Sequence, residues 1–302
     1  MTALLALITV VAWGTWIPLA QTVPGATQRI RTFYATAGNL IFATVSLLIG
    51  SAFGGGVNLT FGWRDFWLPL AGGIVWTMGN YTAFRAADHI GLARAAGSWT
   101  PLNIIVAFVW GAALFGELDG FSAARFAVLG GALVLVIAGV LVIIRAQEPS
   151  GPSPASAPGN PTRAGLLWAT AAGILWGSYF VPAQWAGVSA RVADFPLAIG
   201  IMIGGLALTL PAREPLRLPP ARAGVLLACG AIFGVGNLAL LGLVARVGTG
   251  VGFTIAQLCL VANAGAGIWL FKVPKPGSPA ARLAIAGILL AGTGGAVIGA
   301  LR

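Results

Sequence analysis

Apolar residues run along this chain in long stretches separated by short polar connections. Ten stretches stand out, over residues 3–22, 29–51, 66–87, 91–116, 122–144, 164–187, 193–211, 222–245, 248–271 and 281–301. A helix rises about 1.5 Å per residue, so about 20 residues cross a hydrocarbon layer of about 30 Å. Each stretch therefore predicts a transmembrane helix. The first has no basic segment before it and no small-residue cleavage site after a short apolar core, so it reads as a helix rather than a signal peptide.

One polar segment is different in kind. Glu148 to Arg163 reads EPSGPSPASAPGNPTR, rich in Pro, Ser, Gly and Ala, with no apolar periodicity. It predicts a solvated cytoplasmic linker over 148–163. The linker divides the chain into five stretches over 1–147 and five over 164–302.

Composition agrees with the pattern. Of 302 residues, 58% are hydrophobic and 8% charged, against about 25% charged in a soluble domain. Mean hydropathy is +0.92. Two cysteines inside apolar runs, Cys229 and Cys259, exclude a disulfide scaffold. The class is an all-α polytopic membrane protein. Lys and Arg number 17 and Asp and Glu 7, but the basic residues are scattered singly through the loops. They suit membrane orientation and anionic headgroups rather than nucleic acid, which is not expected as a partner.

The basic residues also orient the chain. Odd-numbered loops and the linker hold Arg29, Arg31, Arg85, Arg94, Arg145, Arg163, Arg213, Arg217, Arg222, Lys272, Lys275 and Arg282. Even-numbered loops and the C-terminus hold Arg64, Arg125, Arg191, Arg246 and Arg302. Positive charge collects on the cytoplasmic side. The expectation is a multi-pass protein of the plasma (inner) membrane with both termini outside.

The two halves resemble each other. WGTWIPLAQ begins at Trp13 and WGSYFVPAQ at Trp176, a shift of 163. Gly79-Asn80 and Ile90-Gly91 match Gly236-Asn237 and Val247-Gly248 at a shift of 157. Five spans per half is an odd number, so the second copy enters the membrane from the opposite side. Ten helices as two inverted five-helix repeats follow, with a substrate site near the midplane between the halves.

Amides are costly against lipid. The chain nonetheless places Gln21, Asn39, Asn80, Asn103, Gln184, Asn237, Gln257 and Asn263 in or near the spans. Helical spacing sets several of them beside aromatics. Trp13 and Trp16 share a face of the first span, and Trp76, Asn80 and Phe84 a face of the third. Trp99 and Asn103 share a face of the fourth, Trp176 and Tyr179 of the sixth, and Phe253 and Gln257 of the ninth. A ring beside an amide suits a sugar, whose C–H face packs on the ring while its hydroxyls meet donor and acceptor. The plain alternatives are interfacial tryptophans and amides that tie helices together. Trp13, Trp16, Trp76, Asn80, Trp99, Asn103, Trp176, Tyr179, Asn237 and Gln257 are the candidate substrate-binding residues.

Glycine is abundant, with 44 residues. Gly72-Gly73, Gly130-Gly131, Gly204-Gly205 and Gly294-Gly295 fall mid-span, where small residues let helices approach closely. Pro18, Pro101 and Pro182 interrupt helices near the aromatic-amide faces.

Catalytic and metal-binding patterns such as HExxH, CxxC, GxSxG and GxxxxGK[ST] do not occur. The seven acids, Asp65, Asp88, Glu117, Asp119, Glu148, Asp194 and Glu214, all fall at the ends of the read spans or in loops. No enzyme, cofactor or metal is expected. Asp88 and Glu117 are the nearest candidates for proton coupling; helix-end charges, or partners for Arg85 or Arg94, are the alternative reading.

The segment GGIVWTMGNYTAFRAADHIGLARA, from Gly72 to Ala95, resembles the bacterial glucose/ribose porter family of the drug/metabolite transporter superfamily. So do WGTW at Trp13, PLAIGIMIGG from Pro196 to Gly205, and FGE at Phe115–Glu117, which closes the fourth span as in that family. The resemblance implies sugar uptake across the plasma membrane, commonly as proton symport, with a sugar-like substrate and the lipid bilayer as partners. Leu270–Lys275 reads LFKVPK where the family tends to carry Gly-Glu, and Gly79-Asn80 stands where glucose-type members usually carry Gly-Gln. Ureide and rhamnose permeases share parts of the pattern. A permease or exporter of another small metabolite, such as a ureide, amino acid or organic cation, stays open, as does a homodimer. The leading expectation is a secondary transporter or facilitator of a small neutral polyhydroxylated solute, most simply a monosaccharide, working by alternating access.

Overall fold

The structure, a computed structural model, describes residues 1–53, 61–90, 92–146, 161–212, 216–269, 272 and 274–301. Most of the linker read at 148–163 lies outside the described residues. The described residues contain helices and no strands, and each of the ten apolar stretches forms helix over its described residues. The elements are α1 (Thr2–Gln21), α2 (Gln28–Phe53), α3 (Trp63–Ile90), α4 (Leu92–Phe115), α5 (Ala123–Ala146), α6 (Pro161–Trp176), α7 (Val181–Ala186), α8 (Ala190–Thr209), α9 (Pro220–Val247), α10 (Thr249–Gln257), α11 (Cys259–Trp269) and α12 (Pro279–Ala300). Among the described residues nine helical segments are long and apolar enough to cross a membrane. α3 is longer than most but more polar, with Arg64 and Asp65 in its first turn and Arg85 and Asp88 near its end. Large apolar side chains such as Leu7, Ile41, Val134, Leu167 and Leu289 are exposed on the helices, an arrangement suited to lipid and not to water.

Two spans expected as continuous are broken. The sixth ends at Trp176, turns through residues 177–180, and resumes as α7. Pro182 has no N–H to offer the Ser178 carbonyl, which instead accepts from the Val181 amide at 3.0 Å. The ninth breaks at Leu258, whose amide bonds Ile255 at 3.0 Å, three residues back instead of four. No glycine or proline marks that second break. By contrast α1 and α4 run continuously through Pro18 and Pro101.

The chain folds as two compact units, one of Met1–Met78 with Ser178–Arg246, the other of Gly79–Gly177 with Val247–Arg302. Each draws on both sides of the linker. The first holds α1, α2, the start of α3, α7, α8 and α9. Glycine governs its packing: a Cβ on Gly73 would stand 2.1 Å from the Leu197 carbonyl oxygen, and one on Gly200 2.0 Å from that of Leu70, so α3 and α8 touch backbone to backbone. Gly38 and Gly230 do the same between α2 and α9, against the carbonyls of Leu227 and Ala35. The second unit holds the rest of α3, with α4, α5, α6, α10, α11 and α12. There α5 and α12 run antiparallel in close contact, Gly139 against Ala291 and Gly287, and Gly294 against Ala132.

Three of the four glycine pairs read from the sequence sit at helix contacts, Gly72-Gly73 and Gly294 against backbone and Gly204-Gly205 against the Thr77 and Thr36 side chains. The exception is Gly130-Gly131, which would meet nothing within 4 Å if either carried a Cβ. Gly130 is exposed. A composition rich in glycine does not distinguish a face that meets a helix from one that meets lipid. Gly73→Leu should therefore cost at least about 2 kcal/mol through backbone displacement. Gly130→Leu should leave the melting temperature in detergent within about 2 °C of the parent; size-exclusion profiles and thermal unfolding of the two variants check the contrast.

Candidate functional site

The proposed site residues gather in two aromatic-amide sets, one in each unit. In the first unit the hub is Phe233 of α9, a residue not singled out from the sequence. Its ring lies 5.0 Å from Trp16, 4.9 Å from Trp76 and 6.4 Å from Trp13. Trp13 and Trp16, three apart on α1, thus present one face to α9 as the helical spacing requires. Trp13 also lies on Gly236, where a Cβ would stand 2.4 Å from the indole Cδ1. Asn237 follows Phe233 by one turn and is 1% exposed. Opposite, on α2, the Asn39 side-chain oxygen lies beside Gly234. Among the described residues neither Asn39 nor Asn237 has a hydrogen-bond partner for its amide oxygen or nitrogen.

The second unit repeats the motif with different residues. Trp176, the last residue of α6, lies on Gly79 as Trp13 lies on Gly236: a Cβ there would stand 2.6 Å from its Cδ1. Trp99 of α4 meets Trp176 edge-on at 5.4 Å. Asn80, beside Gly79 on α3, is buried, and so is Asn103, one turn beyond Trp99 on α4. The Asn103 backbone carbonyl faces Gly177, and its side-chain oxygen has no partner among the described residues. Phe253 and Gln257 are both buried on α10, on the shared face expected of them.

A buried amide without a partner costs about 1–3 kcal/mol. Such groups are uncommon in finished protein interiors and call for a physical reason, of which a ligand or ordered water is one. The tryptophans separate along the same line. Trp63, Trp67, Trp185 and Trp269 are exposed, as interfacial anchors are. Trp13, Trp16, Trp76, Trp99 and Trp176 are the partly or fully buried ones that carry the two sets.

Three residues differ from the picture that the sequence predicts. Tyr179 does not share a helical face with Trp176, because α6 has ended; Tyr179 sits in the following turn, its ring 5.4 Å from Phe180 and its carbonyl against Gly72. Phe233 was available from the internal match, since the shift of 157 that pairs Asn80 with Asn237 also pairs Trp76 with Phe233. Asp194 is the third. The apolar pattern puts it at a span end, but α8 begins four residues before it, and Asp194 is 2% exposed with neither carboxyl oxygen partnered among the described residues.

The two acids named for proton coupling have other surroundings. Asp88 is exposed in the last turn of α3. Glu117 is a helix cap. Gly116, with φ +60°, lets the chain turn after α4, and the Glu117 amide bonds back to the Gly111 carbonyl at 3.0 Å. The Glu117 carboxylate then accepts from the amides of Thr249 and Gly250, the latter at 3.1 Å, at the start of α10. Gly248, with φ +89°, begins that helix, and the helix dipole favours the negative charge there. Gly111 leaves room for the carboxylate, since a Cβ would stand 2.5 Å from it. Among the described residues no group of three or more His, Cys, Asp or Glu is placed to hold a metal ion.

With this geometry in view, comparison with known proteins is informative. The profile of the sugar transport protein family matches residues 4–301. The chain belongs to that family, a family of transporters and not of enzymes. It is 26% identical over 299 residues to the protein named "Putative sugar uptake protein lin0215" of Listeria innocua, covering 99% of this chain and 98% of the other. It is also 26% identical to the glucose uptake protein GlcU of Bacillus subtilis over 290 residues, 96% of this chain and 95% of that one. A solved crystal structure, 21% identical, shares the fold with a TM-score of 0.71 over 99% of this chain and 98% of its own.

Glu117→Ala should destabilise the protein by about 1–2 kcal/mol, the usual value of a lost helix cap. Glu117→Gln, which keeps an acceptor, should lose about half of that. Thermal unfolding of purified protein at neutral pH measures both.

Proposed function

We propose that this protein carries a small neutral polyhydroxylated solute, a monosaccharide in the first instance, across the plasma membrane by alternating access. The observation that carries the reading is the pairing of buried and half-buried indole plates with buried amides that lack partners among the described residues. A pyranose offers an apolar C–H face and a ring of hydroxyls, so it complements both groups at once. The name of the glucose uptake relative points to the same class of solute. A charged substrate would call for a counter-charge, and the sets contain none.

The inverted repeat is part of this proposal. Trp13, from the first half of the sequence, packs on the Gly-Asn pair of the second, and Trp176, from the second, packs on the Gly-Asn pair of the first. Reciprocal contacts of this kind are what two copies related by a pseudo-two-fold axis produce. The breaks at 177–180 and at Leu258 fit as well, since interrupted helices free backbone groups where transporters bind substrates. Both termini lie outside in this reading, which the distribution of Lys and Arg supports. Trp13, Trp16, Trp76, Asn80, Trp99, Asn103, Trp176, Tyr179, Asn237 and Gln257 contribute to binding, joined by Phe233 and Asn39.

Asn80→Ala removes one or two hydrogen bonds to a hydroxyl, about 1.4 kcal/mol, and should weaken uptake about tenfold with surface expression unchanged. Uptake of labelled D-glucose and D-ribose by cells making equal amounts of the variant and the parent tests this; unaltered kinetics would remove Asn80 from the site. Phe233→Ala should lower sugar affinity by a similar factor, because the ring that Trp13, Trp16 and Trp76 share is lost. Sugar-dependent thermal shifts of purified protein read that change.

A further inference from the structure

We infer that Asp194 is a proton-carrying group embedded in the first unit, and that its protonation drives transport. This rests on the transport reading above and names the residue that couples it to an ion gradient.

Asp194 lies about 6 Å along α8 from the first residue of that helix, at 1.5 Å per residue. Its neighbours on the helix, Ala193, Pro196, Leu197, Ala198 and Ile201, are all buried. Asp194 continues by helical spacing the stripe of Leu197 and Ile201, and that stripe packs on α3: Gly73 meets the Leu197 carbonyl, and the Thr77 hydroxyl donates to that of Ile201 at 3.2 Å. Its carboxyl group is therefore directed into protein and not toward lipid.

Among the described residues no positive charge answers it there. Arg191, three residues earlier on α8, is exposed. The start of α3 brings Arg64 and Asp65; Arg64 donates to the Trp185 carbonyl at 3.3 Å and lies over the Trp185 ring, while Asp65 accepts from the Gly62 amide. α2 carries no charged residue between Thr32 and Phe53, and its own Arg31 donates to the Val23 carbonyl. Tyr81, Arg85, Asp88 and His89 of α3 belong to the second unit, and the first unit adds two tyrosines on or beside the packed elements. Tyr34 donates its hydroxyl to the Leu216 carbonyl, and Tyr179 lies in the turn whose backbone meets Gly72. α7 has no charged residue.

An ionised carboxylate without partner or water is among the costliest groups a protein can bury, and the protonated acid is far cheaper. An acid kept in such a place inside a membrane protein is a functional group by its position. In one cycle the Asp194 carboxylate takes a proton as its O–H bond forms, holds it while the group is buried, and gives it up when water reaches the group on the other side. One proton is bound and one released, and no further reactant is needed. By the proposed orientation the start of α8 faces outward, so the proton enters with the solute.

Two measurements test this. Infrared difference spectra of the purified protein between acidic and alkaline pH should show the carbonyl stretch of a protonated carboxyl that is lost on alkalinisation. Asp194→Asn should remove that band. In proteoliposomes Asp194→Asn should reduce D-glucose accumulation driven by a proton gradient about tenfold or more, while D-glucose counterflow stays within about twofold of the parent. Asp194→Glu, which keeps the acid, should retain the band and part of the accumulation, and it stands in if the Asn variant does not fold. A band that persists in Asp194→Asn, or accumulation equal to the parent, overturns the assignment. So does a folded variant that loses counterflow and accumulation together. If the parent itself shows no D-glucose counterflow, the choice of glucose is wrong, and the infrared band still decides whether Asp194 carries the proton.

Discussion

In hydrocarbon, two helices gain nothing by expelling water from between them, so their association depends on how closely their backbones can come. Glycine sets that distance here. At Gly73 and Gly200 between α3 and α8, at Gly38 and Gly230 between α2 and α9, and at Gly139 and Gly287 between α5 and α12, a single added carbon would collide with main-chain atoms. Close backbone contact yields many small dispersion terms at once and replaces the hydrophobic term that a soluble bundle would use. It also limits where side chains can go, because helices in contact at glycine have no room for large residues at the crossing. The aromatic residues are displaced to the flanks, where Trp13 and Trp176 each find a glycine flat enough to lie on.

That packing explains why the amides are where they are. Asn237 follows Gly236 and Asn80 follows Gly79, so the residue that accepts the indole is chained to the residue that carries the polar group. Plate and amide are thereby held at a fixed offset by two helices whose spacing cannot relax. In the proposed reading such a site needs no loop to order it, and amides such as Asn39 and Asn237, unpartnered among the described residues, are held for hydroxyls at a cost borne by the packing around them. The acid in α8 is held by the same means, on the stripe that meets α3 at Gly73.

Glu117 shows a different use of charge in a chain with so few acids. Its carboxylate serves two amides at the head of α10, which would otherwise end in a buried turn with unsatisfied donors. A charge placed there stabilises a helix end, whereas the same carboxyl at Asp194 meets no donor among the described residues. Two acids with similar sequence surroundings, each next to apolar runs, have opposite roles because one reaches backbone N–H groups and the other does not.

The chain's own pattern determined the class, the ten helical stretches to within a few residues, and most of the aromatic-amide faces, because lipid imposes a length on each helix and a penalty on each stray amide. The internal match even contained Phe233, through the same shift that aligns the two Gly-Asn pairs. What sequence could not decide were properties that depend on a neighbour. Gly130-Gly131 and Gly294-Gly295 read alike, yet only the second meets another helix. Tyr179 lost its face because Pro182 withholds a donor from Ser178, and Leu258 breaks its helix with no local marker. Asp194 sits only a few residues inside a helix, and whether it meets water, a cation or nothing is decided by α2 and α3, far away in the chain. Helical period and span length are local quantities; burial and partnership are set by which helices the fold brings together.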